Sequence, residues 1–301
     1  MAWVESHSLS FSARYDSDHT EEAAAVLAAL EVLRDELGGL YEQIPDEVAV
    51  VLHPRPAALA LAHPWLPLAR RAAAPAARRY YAGWFSEFDI HVLAPPALEK
   101  RASGVPGSRE ALLLSPQHEY AHLVVGANNP YLPPPFSLST FRRYVRWAWL
   151  CEGAAVWLSG QTPYLRPAIV RRLREDARPE FPPSARDAML LGGTIFSMLE
   201  REAGPGAAAA LATSPLEESG ARGVIAEAFD RQVASAAAAL APCCSSSRPK
   251  TVPPSSIASR DSGGNAGRPP SRKRHTIAAR SRGAWPDSQV AAPSHSQAQR
   301  T

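Results

Sequence analysis

The chain has 301 residues, 46% hydrophobic and 20% charged, a composition that builds a packed core and excludes a chain disordered throughout. Its formal charge of +3 is unevenly placed: 10 Lys/Arg against 2 Asp/Glu from Ala241 onward leave residues 1–240 at −5, so the basic balance does not describe the folded part. Cys151, Cys243 and Cys244 are too few and too oddly spaced for a disulfide framework or a C-x-x-C metal site.

The opening MAWVESHSLSF has neither a basic stretch nor an apolar run of signal-peptide type, and no run of about 18 apolar residues occurs. A soluble cytoplasmic protein without a membrane partner is expected, although a mis-assigned start would hide an export signal. LSFSARY (9–15) alternates well enough to predict a first strand. DSDHTEEAAAVLAALEVLRDELGG (16–39) predicts a helix capped at Asp18 or Thr20, with acids in its first turn and Gly38–Gly39 as its stop. DEVAVVLH (46–53) reads as a second strand, followed by an Ala-rich helix broken near Pro64. FDIHVLA (88–94), bounded by Pro95–Pro96, reads as a third.

The second half is mostly helical. SPQHEYAHLVVGA predicts a helix with Ser115 at the cap and Pro116 at the first helical position. A Pro-rich loop, NNPYLPPPFS, leads to one long helix over 139–160, and further helical segments are expected around 185–203 and 221–240. After Leu240 the composition turns to Ser, Pro, Arg and Gly. Such a stretch cannot bury enough apolar surface to offset its ordering entropy, so residues 1–240 are read as the folded domain and 241–301 as a disordered tail. The basic run SRKRH (271–275) could meet nucleic acid, but a solvated tail is the plainer reading.

The chemistry concentrates in two places. His118 and His122 stand four apart on a predicted helix, hence on one face and one turn apart, so both imidazoles can reach one Zn²⁺. Glu119 lies about 100° round the helix, near enough to touch the metal's water without ligating, as a general base must. A catalytic zinc takes three protein ligands and an open fourth position. Glu152 is the candidate third, because its helical neighbours Val145, Ala148, Trp149, Ala155 and Val156 are apolar and a lone buried carboxylate there needs a partner. A Glu at the edge of that stripe, reaching water or Arg146, is the competing reading. Small Gly153 and Ala154 would let two helices approach closely enough to share the ion.

H118-E119-Y120-A121-H122 followed by WLCEGAAVWL resembles the gluzincin metallopeptidases, in particular the small peptidase MA-like domains, and the resemblance extends over about residues 5–240. It implies a zincin-like α+β fold: a small N-terminal mixed sheet with helices, then a mostly helical half, with zinc between them. It also implies His118, His122 and Glu152 as zinc ligands, Glu119 as catalytic base, and a peptide or protein substrate held along an edge strand such as FDIHVLA. One feature departs from the family: ARDAMLLGGTIF lacks the Tyr or His that many gluzincins give to the oxyanion. Tyr131, Tyr144 and Tyr164 are possible substitutes without a positional argument. Two other functions compete with hydrolysis, a zinc-binding pseudoenzyme serving as an interaction module and a nucleic-acid-associated protein acting through its tail. His53 and His91 read as satisfied or surface imidazoles, Cys151 and Trp147, Trp149 and Trp157 as packing groups, and Arg142, Arg143 and Arg146 as a solvated face. Oligomeric state has no signature here.

Overall fold

Alternating apolar residues build a five-stranded sheet in the computed structural model, which describes residues 2–175, 179–180 and 182–215. Its strands are β1 (Trp3–His7), β2 (Phe11–Asp16), β3 (Val48–His53), β4 (Gly83–Phe85) and β5 (Asp89–Leu93), in the order β1-β2-β3-β5-β4. The inner pairs β2–β3 and β3–β5 are parallel and the outer pairs antiparallel, so the sheet is mixed. The period of two divides its faces. Phe11, Ala13, Val48, Val50, Leu52, Ile90 and Val92 turn to the buried face, and Ala49, Val51, His53, Asp89 and His91 to the other.

Parallel neighbours need a crossover, and α1 (Thr20–Gly38) supplies the one between β2 and β3. Its stripe Ala23, Val26, Leu27, Leu30, Leu33 and Leu37 is buried, as helical spacing requires of a core-facing helix. Short helices α2 (Pro56–Ala62) and α3 (Leu66–Ala72) follow β3, and α4 (Pro95–Arg101) and α5 (Ser108–Leu113) follow β5. Then comes α6 (Ser115–Asn128), buried from Ser115 through Gly126 and lying against β4, β5 and α1. The helical half continues as α7 (Leu138–Arg146), α8 (Ala148–Leu158), α9 (Thr162–Leu173), α10 (Ala188–Ala203) and α11 (Pro205–Ala212). The fold is α+β, as the sequence leads one to expect.

Two contacts fix the helical half. A Cβ on Gly153 of α8 would stand 2.6 Å from the backbone carbonyl carbon of Gly192 in α10, so these helices touch backbone to backbone. Arg172 in α9 grips Asp187, just before α10, through two parallel bonds of 2.6 and 2.9 Å, with both side chains buried.

Several expectations are corrected. FDIHVLA forms β5, which lies between β3 and β4 rather than at an edge; the edge is the unforeseen short strand Gly83–Phe85. Periodicity reveals a strand but not its neighbours. Trp3–His7 adds the strand at the other edge. The helix expected over 139–160 breaks at Trp147, which leaves Val145 47% exposed and outside the apolar face assigned to Glu152. Ser115 does not cap α6; its hydroxyl donates to the Leu112 carbonyl from the first helical position. Gly153 packs towards α10, not towards the helix that carries the histidines. The helix expected around 221–240 and the tail from 241 lie outside the described residues. Among the described residues, no helix is long and apolar enough to cross a membrane.

Candidate metal centre

Burial of α6 on nearly every side carries its polar residues into the core. His118, Glu119 and His122 are only 3–6% exposed, and Glu152 of α8, which packs beside α6, is 4% exposed. Polar groups so placed require partners. They find them in one another: Nε2 of His118 and Nε2 of His122 are 3.2 Å apart, His118 Nε2 is 3.4 Å from Glu152 Oε2, and His122 Nε2 is 3.8 Å from Glu152 Oε1. Donor atoms about 2.0–2.1 Å from one tetrahedral ion stand about 3.3 Å from each other, so these separations suit a shared cation. One donor atom of each of His118, His122 and Glu152 lies within 4.8 Å of the others, and the three could hold a metal ion.

The surroundings aim these donors. Gln161, 1% exposed at the foot of α9, presents Oε1 to His118 Nδ1 at 3.0 Å and donates its amide nitrogen to the Ala111 carbonyl at 2.7 Å. Its oxygen can only accept, so His118 carries a proton on Nδ1 and turns Nε2 to the cluster. Phe85 of β4 stacks on His122, centroids 4.4 Å apart and planes 16° from parallel. The Tyr144 hydroxyl donates to Glu152 Oε1.

Electrostatics follow from burial and pairing. Burial alone would raise the Glu152 carboxyl, but the His118 hydrogen bond and the charges of both imidazoles hold it well below the usual carboxylate range. Burial alone would lower His118, and its bond to Glu152 raises it instead. Burial lowers His122 to about 3, with the pull of Glu152 opposing and the His118 charge adding. Glu119 is pushed up to about 8 by burial, against the charge of His118 and with that of Glu152. Burial and pairing thus push the two carboxyls of one pocket in opposite directions.

Glu119 sits under the edge strand. A Cβ on Gly83 would meet its Oε1 at 2.5 Å, so glycine is what lets the strand pass over the carboxyl. A cavity of about 20 Å³ is bounded by Gly83, Phe85, Glu119, Tyr144 and the cluster of His118, His122 and Glu152. That volume admits about one water and no peptide.

All four residues singled out by sequence meet here. Of the three tyrosines, Tyr144 arrives, whereas Tyr131 is 46% exposed beneath Arg143 and Tyr164 packs by its backbone on Gly107. Tyr81, also on the cavity wall, carried no sequence signal, and neither did Gln161. Cys151 and Trp147, Trp149 and Trp157 are buried, in keeping with packing roles.

No family model matches the chain, and no curated protein matches it.

Proposed function

We propose that this chain is a zinc-dependent peptidase of the gluzincin type, with His118, His122 and Glu152 as zinc ligands and Glu119 as general base. The observation that carries the reading is the meeting of two imidazoles and a carboxylate at ligand separations with a second carboxylate, that of Glu119, on the wall of the same cavity. Two His and one Glu suit zinc and leave one position open. Zinc held there would polarise a scissile carbonyl and bring the pKa of water to about 7. A cation bound beside it would draw Glu119 into its ionised form, in which it would take the proton from that water and return it to the leaving amine. Tyr144, whose hydroxyl already reaches Glu152, supplies the proton donor that ARDAMLLGGTIF lacks. A peptide or protein substrate pairs along the edge strand β4, whose backbone passes directly over Glu119, in the manner of strand addition. Its entry requires Phe85, the Trp84 ring stacked beside it and the Phe136 ring tilted against it to swing away.

The small cavity favours a second reading, a zinc-binding module without turnover. Metal analysis and a hydrolysis assay separate the two. Protein purified without a metal-affinity tag should hold one zinc that depends on His118, and should cleave unfolded casein until a chelator is added. His118-dependent zinc with no cleavage of casein or of a fluorogenic peptide mixture selects the second reading. Absence of that zinc overturns both.

A further inference from the structure

Strand register places a second histidine cluster on the sheet face turned away from the centre above. In the parallel pair β3–β5, Val51 stands beside His91 and His53 beside Leu93, so His53 and His91 project diagonally from one face. The bend between α2 and α3 brings His63 onto them. His53 Nε2 lies 2.9 Å from His91 Nδ1, and the His63 ring meets His91 edge-on, centroids 4.4 Å apart at 80°. On the far side of His91, Nε2 faces Asp89 Oδ2 at 3.7 Å, and Asp89 is fixed in turn by the Ser86 hydroxyl.

We propose that His53, His63 and His91 form a second site for a zinc-class divalent cation, with Asp89 orienting His91. Three observations support it. The first is the donor set, since clustered imidazoles suit Zn²⁺, Cu²⁺ and Ni²⁺. The second is the carboxylate behind His91: a ligating imidazole characteristically gives its other N–H to such a group, which fixes the tautomer and aims the free nitrogen. The third is orphaned polarity. The buried Nε2 of His63 has no hydrogen-bond partner among the described residues. Leaving a buried nitrogen unsatisfied is costly, so an imidazole serving packing alone would be poorly chosen at His63. A cation held at His53 Nε2 and His91 Nδ1 would take up the unmet lone pair of His63 Nε2.

The His53–His91 pair needs little adjustment, whereas His63 has to turn its Nε2 inwards, since the three donor atoms do not already stand within 4.8 Å of one another as those of the first centre do. Opening the His53–His91 separation from 2.9 Å to the ligand spacing of about 3.3 Å is a movement of tenths of an ångström. Trp3 stands edge-on to His53 at 6.5 Å, and Trp84 lies stacked beside His63 at 6.2 Å. These indoles give the cluster an apolar shell of the kind that limits solvent access to a metal. The cation would tie the α2–α3 bend to the sheet.

Counting metal tests this independently of peptidase activity. The full, untagged chain is stripped with chelator, reloaded with Zn²⁺ or Co²⁺, freed of excess and measured by mass spectrometry. The parent should bind two equivalents, the His63→Ala/His91→Ala variant one, and the His118→Ala/His122→Ala variant one. Asp89→Asn should weaken the second equivalent about 10–100-fold and leave the first unchanged. His63→Ala alone guards against misfolding, because His63 is partly exposed at a bend; it should keep the first equivalent and lose the second with an unaltered circular dichroism spectrum. The proposal is overturned if the parent binds one equivalent that His118→Ala/His122→Ala abolishes. It is equally overturned if two equivalents persist in His63→Ala/His91→Ala, or if the parent binds none.

Discussion

Gln161 holds His118 from behind: its Oε1 accepts from Nδ1 at 3.0 Å while its Nε2 is pinned to the Ala111 carbonyl at 2.7 Å. The amide cannot turn round without breaking both bonds, so one buried residue sets both the tautomer and the ring direction of the His118 imidazole in the candidate centre. Gln161→Ala should therefore weaken zinc about 10–100-fold with little change in fold. Competition against a chromophoric chelator reads the affinity. An unchanged dissociation constant would remove Gln161 from the account.

Ligands and base separate by substitution. Glu152→Ala, His118→Ala and His122→Ala should each lose the centre's zinc, since each takes away one of the three donors. Glu119→Gln should keep it and lose hydrolysis by about 10²–10⁴-fold, because an amide cannot accept the water's proton. Mass spectrometry and peptide cleavage on the same preparations check both halves. Zinc lost from Glu119→Gln as completely as from Glu152→Ala would make Glu119 a ligand.

Zinc should also stabilise the fold. A cation bound only by the native chain adds about 2.7 kcal/mol at a hundredfold excess over its Kd. Melting temperature should rise with free zinc and fall with chelator. In Glu152→Ala the portion due to this centre should vanish; a chelator-insensitive parent would contradict it.

Gly153 is predicted to be irreplaceable for packing. The atom that an added Cβ would strike belongs to the Gly192 backbone, which cannot rotate aside, so Gly153→Ala should cost about 1–3 kcal/mol. Gly206 in α11 has nothing within 4 Å of its Cβ position, and Gly206→Ala should be neutral or gain up to about 1 kcal/mol from helix propensity. Urea unfolding of the two variants tests the contrast, and equal destabilisation would refute it.

Much of this molecule is legible in its sequence. Helix α1 has its acids, its apolar stripe and its glycine stop within about twenty residues, and β3 and β5 show themselves as short β-branched runs. These are local signals, because the period of side chains along a helix or strand is a property of the backbone itself. His118, Glu119 and His122 share one helix, so their spacing alone forecasts a common face. Glu152 was legible because a carboxylate among Trp149, Ala155 and Val156 demands a partner.

Tertiary structure decided the rest. Nothing in FDIHVLA says that it lies inside the sheet, since strand order depends on how α1 and later segments cross over. Gln161 lies 43 residues from His118, Gly83 passes over Glu119 from a strand three residues long, and His53, His63 and His91 meet only once β3, β5 and the α2–α3 bend have packed. The break at Trp147 releases Val145 to solvent while the Tyr144 hydroxyl reaches Glu152. The sequence by itself determined which side chains could act as donors on each element. Which donors face each other across elements was set by packing, because burial and pairing energies between distant segments exist only after the segments have met.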